Sequence, residues 1–423
     1  MRFLLPYDKT EVPLEIDDRN LAGVLASKVE SYKPCMSSSE LVEASLDCPI
    51  GSPRLEDLAK GKKRVVIISS DHTRPVPSKI LTPILLRRIR AVEPDAEIKI
   101  LVATGFHRSS TREELIEKYG QQIVDREQIV MHVSTDDSSM VKIGTLPSGG
   151  ECIINRVAAE ADLLIAEGFI ECHYFAGFSG GRKSVLPGIA SYKTIMANHC
   201  SEFINSSKAQ AGILKDNPIH TDMMYAARTA KLQFVLNVVL NDRKEIIASF
   251  AGDFEAAHAE GTGFLASLAR VKKIDCDIAV CTNGGYPMDQ NIYQTSKGMT
   301  TAAATNKEGG VIVLVAGLRD GHGGQGFYND LAGSKNPREF MNRVSKIGRE
   351  DTAPDQWTTQ IVARVLCHHR LIMVSDLIAP ETIRSLHMEY ARTLHEAMIR
   401  AFEIEGPDAK VVVIPDGLSV IVE

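Results

Sequence analysis

Apolar residues along this chain fall in short continuous runs rather than in strict alternation. The runs are 65–68 (Val-Val-Ile-Ile), 98–102, 163–166, 234–239, 277–281, 311–315, 371–374 and 411–414, most of them dominated by Val and Ile. Continuous β-branched runs of this length predict strands covered on both faces, as in parallel sheets. Between them the period changes to that of a helix. Ile80, Leu81, Ile84, Leu85 and Ile89 recur at helical spacing and predict a helix over 78–92. Further helices are expected over 191–207, over 253–271, and over 382–404 as one long amphipathic helix carrying Leu386, Tyr390, Leu394, Met398 and Phe402. Strands alternating with helices specify an α/β architecture.

The length of 423 residues suits two domains. A boundary is expected in the charged stretch 270–275, which follows a helix and precedes a fresh strand. That divides the chain into 1–270 and 271–423, each a mostly parallel sheet flanked by helices, with an active site in the cleft between them. Residues 317–336, rich in Gly and polar side chains, are expected to form a mobile loop. The sequence shows no internal repeat and no low-complexity tract.

Charge and cysteine usage narrow the class. The net charge is −6, and the one basic cluster, Lys60 to Arg64, leads into a strand, so no nucleic-acid face is expected. The eight cysteines form no CxxC pair, which excludes a zinc ribbon, and Cys276 and Cys281 are read as core thiols. No apolar run reaches the roughly 18 residues of a membrane span, and the amino terminus lacks a signal peptide's apolar segment. A cytoplasmic setting is the expectation.

In open α/β sheets, ligands bind beyond the carboxyl ends of the strands. The segments that follow the strands are therefore the informative ones. After 65–68 comes Asp71-His72-Thr73-Arg74-Pro75. Arg74 offers a fork for a carboxylate or phosphate, and Asp71 could orient that fork or a histidine; the plain alternative is a helix cap and turn. After 98–102 comes Thr104-Gly105-Phe106-His107-Arg108, where Thr104 and Gly105 allow close backbone approach to an anion. His107 sits in that loop either as an acid/base or as a solvated side chain. Thr111 and Glu114 have capping-box spacing.

The richest stretch is 167–188. It holds His173 and the run Ser179-Gly180-Gly181-Arg182-Lys183. Glycines there suit a phosphate cradle without the Walker A spacing, and Lys183 supplies a point charge or a nucleophilic amine. On the next helix His199 shares a face with Tyr192 and could ligate a late first-row metal, or sit in the core. In the second half Gln294 and Lys297 are three residues apart, on one face of a turn or helix, placed to grip a carboxylate together. Tyr293 precedes them. Trp357, the single tryptophan, lines a pocket or packs a helix.

Taken together, these segments resemble the nickel-dependent lactate racemase family. The resemblance rests on Asp71-His72-Thr73-Arg74-Pro75, Thr104-Gly105-Phe106-His107-Arg108, His173 with Gly180-Gly181-Arg182-Lys183, Asn198-His199, and Tyr293-Gln294-Thr295-Ser296-Lys297-Gly298. It implies nickel held in a nickel-pincer nucleotide, a pyridinium mononucleotide with two sulfur-bearing arms, tethered at Lys183 and completed by His199. Asp71, Thr104, Gly105, Ser179, Gly180 and Gly181 would support that cofactor. His107 and His173 would be alternating acid/base groups. Arg74, Gln294 and Lys297 would hold the substrate carboxylate, with Tyr293 and Trp357 lining the pocket. The implied substrate is a small 2-hydroxy acid, lactate foremost, and the implied partners are the enzymes that build the cofactor. A nicotinamide-dependent dehydrogenase would need a G-x-G-x-x-G turn after an early strand, which is absent. A non-catalytic nucleotide or nickel carrier would leave the two histidines and the carboxylate clamp without a purpose.

Overall fold

The structure, a computed structural model, describes residues 1–423. All eight apolar runs are strands, and they assemble into two six-stranded sheets. The first has the spatial order Ile246–Gly252, Leu232–Leu240, Leu163–Phe169, Arg64–Ser70, Glu97–Ala103, Gln128–Met131. All its pairings are parallel except that of Ile246–Gly252 with its neighbour. The second has the order Glu389–Ala391, Arg370–Val374, Asn306–Val315, Cys276–Thr282, Val411–Ile414, Leu21–Val24, and is parallel throughout.

Helices cover both faces of each sheet, and this is why the strands are continuously apolar. In the first sheet Val66, Ile68, Leu164 and Ala166 enter one core, while Val65, Ile67, Leu163 and Ile165 enter another on the opposite face. The second sheet divides in the same way, Ala279 and Cys281 facing one core and Ile278 and Val280 the other. Side chains alternate across a strand, so a strand buried on both sides is apolar at most positions, and its buried polar residues, such as Ser69, Glu167 and Asn237, need hydrogen-bond partners. No helix is long and apolar enough to cross a membrane.

The chain reaches the second sheet before it builds the first. The hairpin Arg2–Tyr7/Thr10–Glu15 places Leu5 and Leu14 in a core with Ile278 and Val413. Strand Leu21–Val24 then pairs with Val411–Ile414. These short N-terminal strands carry no long apolar run, and a proposed division at residue 270 has to assign them to the C-terminal half.

Several predicted elements differ in detail. The helix expected over 382–404 is instead a short helix Pro380–Ser385, an edge strand Glu389–Ala391 and a helix Leu394–Glu405. Thr393 caps the last helix through a capping box with Glu396, and His387 adopts a positive φ of 63° that breaks the earlier one. The helix expected over 191–207 is split into Tyr192–Asn198 and Ser201–Ile204, with His199 at the break. Residues 317–336 are not simply a loop. They contain helix Gln325–Ala332, anchored by Phe327 and Leu331, both 0% exposed. Helices Ser78–Arg90 and Ala256–Ala269 lie where expected, and the Thr111/Glu114 capping box is present.

In each sheet the strand order reverses once. The chain runs outward from Arg64–Ser70 and later returns on its other side as Leu163–Phe169; it does the same around Cys276–Thr282, returning as Val411–Ile414. Crevices outside the carboxyl ends at such reversals are where ligands bind in this architecture. Asp71 and the 170–183 loop hang from the first reversal.

Candidate active site

Strand Arg64–Ser70 delivers Asp71 to a position only 1% exposed. Its Oδ2 lies 2.7 Å from His107 Nδ1, and its Oδ1 accepts from the Thr73 amide at 3.0 Å and the Thr73 hydroxyl at 2.6 Å. Burial pushes this carboxyl's pKa up. The hydrogen bond and charge of His107, with Thr73 and Arg74 beside it, outweigh burial and hold it at about 2. A carboxylate only accepts, so His107 carries its proton on Nδ1 and turns the Nε2 lone pair outward. Arg74 is exposed and bonds only to Thr73 Oγ1, at 3.2 Å, which leaves most of its fork free. The helix after this loop has no side-chain cap; the Ser78 hydroxyl turns inward to Glu167 instead.

Thr104 and Gly105 shape the His107 loop. The Thr104 hydroxyl donates to the His132 carbonyl at 2.7 Å, and the Gly105 amide donates to Gly188 O at 2.9 Å. Gly105, at φ 55°, thereby ties the His107 loop to the segment that follows Lys183.

Beyond Phe169 a tight hairpin pairs Cys172–His173 with Gly177–Phe178. His173 stacks on Tyr174 at 5.1 Å between centroids and meets Phe175 edge-on at 4.5 Å. Its Nδ1 accepts from the Ala176 amide at 3.3 Å. Burial, then the charges of Lys183, Lys297 and Arg74, push its pKa well below the ordinary histidine value. The imidazole is therefore neutral at pH 7.

Ser179, Gly180 and Gly181 form the turn that presents Lys183. The Ser179 hydroxyl donates to Phe169 O at 2.9 Å and accepts from the Glu171 amide at 2.8 Å. The Gly181 amide donates to Asn237 Oδ1 at 2.8 Å, and a Cβ there would meet the His258 ring at 2.7 Å. Arg182, 1% exposed, fastens the turn by donating to the carbonyls of Phe178 at 2.8 Å and Ala176 at 2.7 Å. Lys183 makes no side-chain hydrogen bond and lies over the Phe175 ring at 5.8 Å. Burial first, then Arg182 and Arg74, drive its pKa well below the usual lysine value. An amine so placed is uncharged part of the time and nucleophilic.

His199 follows the last turn of helix Tyr192–Asn198 and is 5% exposed. Its Nδ1 is 3.1 Å from the Ile195 carbonyl. A carbonyl cannot donate, so the proton is on Nδ1 and Nε2 bears the free lone pair, the arrangement of a metal-ligating histidine. Phe175 and Trp357 flank the ring at 5.2 and 5.1 Å, and burial lowers its pKa to about 3.

The second half contributes helix Ile292–Thr305, capped by Asn291, whose side chain accepts from the Gln294 amide at 3.0 Å. Tyr293, Gln294 and Lys297 all lie on its first turns. Burial pulls the Lys297 pKa down to about 8, with Glu171, Arg74 and Asp416 facing it. Tyr174 from the first half reaches Thr358 of the second, hydroxyl to hydroxyl at 3.3 Å, next to Trp357. The structure thus draws Arg74, His173, Lys183, His199 and Lys297 into one electrostatic neighbourhood, with Asp71–His107 at its rim. Sequence reasoning missed Tyr174 and Glu171 as parts of it, and gave Arg182 no role beyond its place in the 179–183 run. Their only signal was adjacency to His173 and Lys183.

The model of the lactate racemase N-terminal domain matches residues 7–212, and that of the lactate racemase C-terminal domain matches 271–422. The chain belongs to the lactate racemase family. It is thereby an isomerase by family. It is 67% identical over 419 residues to the lactate racemase of Lactiplantibacillus plantarum, covering 99% of each chain. It is 52% identical over 418 residues to that of Thermoanaerobacterium thermosaccharolyticum, covering 99% of this chain and 98% of the other. The solved lactate racemase apoprotein from the latter organism superposes with a TM-score of 0.97 at 50% identity over the full length of both chains. A Thermotoga maritima protein of 18% identity shares the fold, with a TM-score of 0.65 over 93% of this chain.

Proposed function

We propose that this protein interconverts the enantiomers of lactate, with a nickel-pincer nucleotide joined to Lys183 and ligated by His199. What supports the reading is that the charge of Arg74 reaches both the Asp71 that backs His107 and the buried His173, together with an unpaired lysine, while His199, with a free Nε2, lies in the same neighbourhood. The donor set fits the group. No cluster of three His, Cys, Asp or Glu side chains is placed to hold a metal ion, so a metal at His199 would take its other ligands from a non-protein group. Lys183 offers an amine for covalent attachment. The turn built by Ser179, Gly180 and Gly181 presents it.

When bound, that cofactor supplies a reversible hydride acceptor for C2 of the substrate, which avoids a C2 carbanion. The protein's own residues do the rest. Arg74, Gln294 and Lys297 anchor the carboxylate and leave the C2–oxygen group free to present either face. His107 Nε2, backed by Asp71, takes the hydroxyl proton from one enantiomer and releases it to solvent, while His173, protonated from solvent, delivers a proton to the oxygen as the other enantiomer forms; for the opposite enantiomer the two exchange roles. Tyr293, Trp357 and Tyr174 close the pocket with aromatic surface and exclude water.

The test is chiral analysis of L-lactate incubated in heavy water with protein co-produced with the cofactor's biosynthetic enzymes. D-lactate that retains hydrogen at C2 is the expected product. Loaded protein, verified by intact mass, that leaves lactate unchanged would overturn the reading.

A further inference from the structure

Beneath the Asp71–His107 pair lies a buried charged layer. Lys118 stands near the end of helix Arg112–Tyr119, is 9% exposed, and donates to Ser70 Oγ at 3.1 Å. Ser70 immediately precedes Asp71. Glu167, 1% exposed, accepts from the hydroxyls of Ser69 at 2.6 Å, Ser78 at 2.5 Å and Thr82 at 2.9 Å. Tyr119 donates to Ser69 Oγ at 2.8 Å, so a hydroxyl chain from the same helix ends on Glu167.

An ammonium held by a single hydroxyl is not retained in a protein interior unless anions face it. Burial lowers the Lys118 pKa and raises that of Glu167; the charges of Glu167, from strand Leu163–Phe169, and of Asp71, at the end of Arg64–Ser70, act against burial and favour the ammonium. Arg74, on the same loop as Asp71, adds a like charge, and the helix itself carries Tyr119 beside Lys118 and, one turn earlier, Glu114, which pairs with His72 and Arg108. Helix Ser78–Arg90 contributes only the hydroxyls of Ser78 and Thr82.

We propose that Lys118 is a positioning residue for the Asp71–His107 pair: its ammonium, bonded to Ser70 beneath the end of strand Arg64–Ser70, adds positive charge behind the pair and so tunes the proton affinity of His107 Nε2. It never touches substrate. The proposal rests on the reading of His107 as an acid/base group.

Lys118→Gln retains a donor for Ser70 while removing the charge. Without that charge, protonated His107 is favoured. In the direction where His107 accepts the proton, the acid limb of the rate profile moves to higher pH. In the reverse direction, where His107 donates, the alkaline limb moves the same way. The expected displacement is about half to one pH unit, with the KM for lactate changed less than about twofold. Lys118→Arg, which keeps the charge, should leave both limbs in place. A parallel NMR titration of the His107 ring, which needs no turnover, should move by the same amount in Lys118→Gln. A slower Lys118→Gln enzyme with unmoved limbs and an unmoved titration would overturn the proposal, as would displaced limbs in Lys118→Arg. If wild-type protein fails to racemise lactate, the functional reading fails while the His107 titration still decides this one.

Discussion

Trp357 and His199 stand edge to face with ring centroids 5.1 Å apart, one from each half of the chain. The indole thereby fixes the plane in which the His199 lone pair points. Outer groups of this kind typically change metal affinity by about 10–100-fold. Trp357→Ala should lower the nickel retained per protein after loading and desalting, measured by elemental analysis. Trp357→Phe should retain most of it, and His199→Ala almost none.

Lys183 carries a burial penalty with no anion bonded to it. Lys183→Ala should fold normally and melt at or above the wild-type temperature. Intact mass after co-production with the biosynthetic enzymes should show no adduct. An adduct of wild-type mass would place the attachment elsewhere.

Asp71 holds the His107 tautomer. Asp71→Asn keeps the shape but lets the amide donate toward Nδ1, which favours the tautomer protonated on Nε2. The kcat should fall by about 100-fold or more, with KM nearly unchanged, as read by chiral analysis of initial rates.

His132 predicts a pH dependence of stability. It is 0% exposed, donates from Nε2 to Ala190 O at 3.0 Å, and receives Asn155 Nδ2 on Nδ1 at 3.3 Å. Burial lowers its pKa from 6.5 to about 4. Between those values the unfolded chain binds the extra proton, so stability rises with pH across the window and falls on acidification from 6.5 toward 4. The loss from this one group is on the order of 3 kcal/mol. His132→Gln should flatten that part of the melting-temperature profile.

The 317–336 segment makes a different prediction. Phe327 is 0% exposed and meets Tyr293 at 5.8 Å between centroids. Phe327→Ala should cost about 3–5 kcal/mol in denaturant unfolding and should also weaken lactate binding, because Tyr293 loses its support.

The strands were legible because a doubly covered sheet makes most positions apolar, and no other local signal competes with a run such as Val65-Val66-Ile67-Ile68. What escaped was set by partners far away in sequence. Leu21–Val24 is a strand because Val411–Ile414 has a free edge, and the break at His387 depends on its backbone rather than on apolar spacing. The candidate site was legible as residue types following strands. Its internal order was not. Nothing local says that Thr104 and Ser179 turn their hydroxyls toward backbone carbonyls, or that Asp71 selects His107 over Arg74.

The pairing of Leu21–Val24 with Val411–Ile414 also bears on how the chain is made. The ribosome delivers the edge strand of the second sheet first and its neighbour nearly last. The first sheet, drawn wholly from residues 64–252, can close while synthesis continues. The strand Leu21–Val24 must wait, unpaired, until Val411–Ile414 emerges, whereas the hairpin before it can already pack on Ile278 and Val311. A chain truncated before that strand would leave Leu21–Val24 without a pairing partner, so nascent or prematurely ended copies are the ones that chaperones and proteases would recognise.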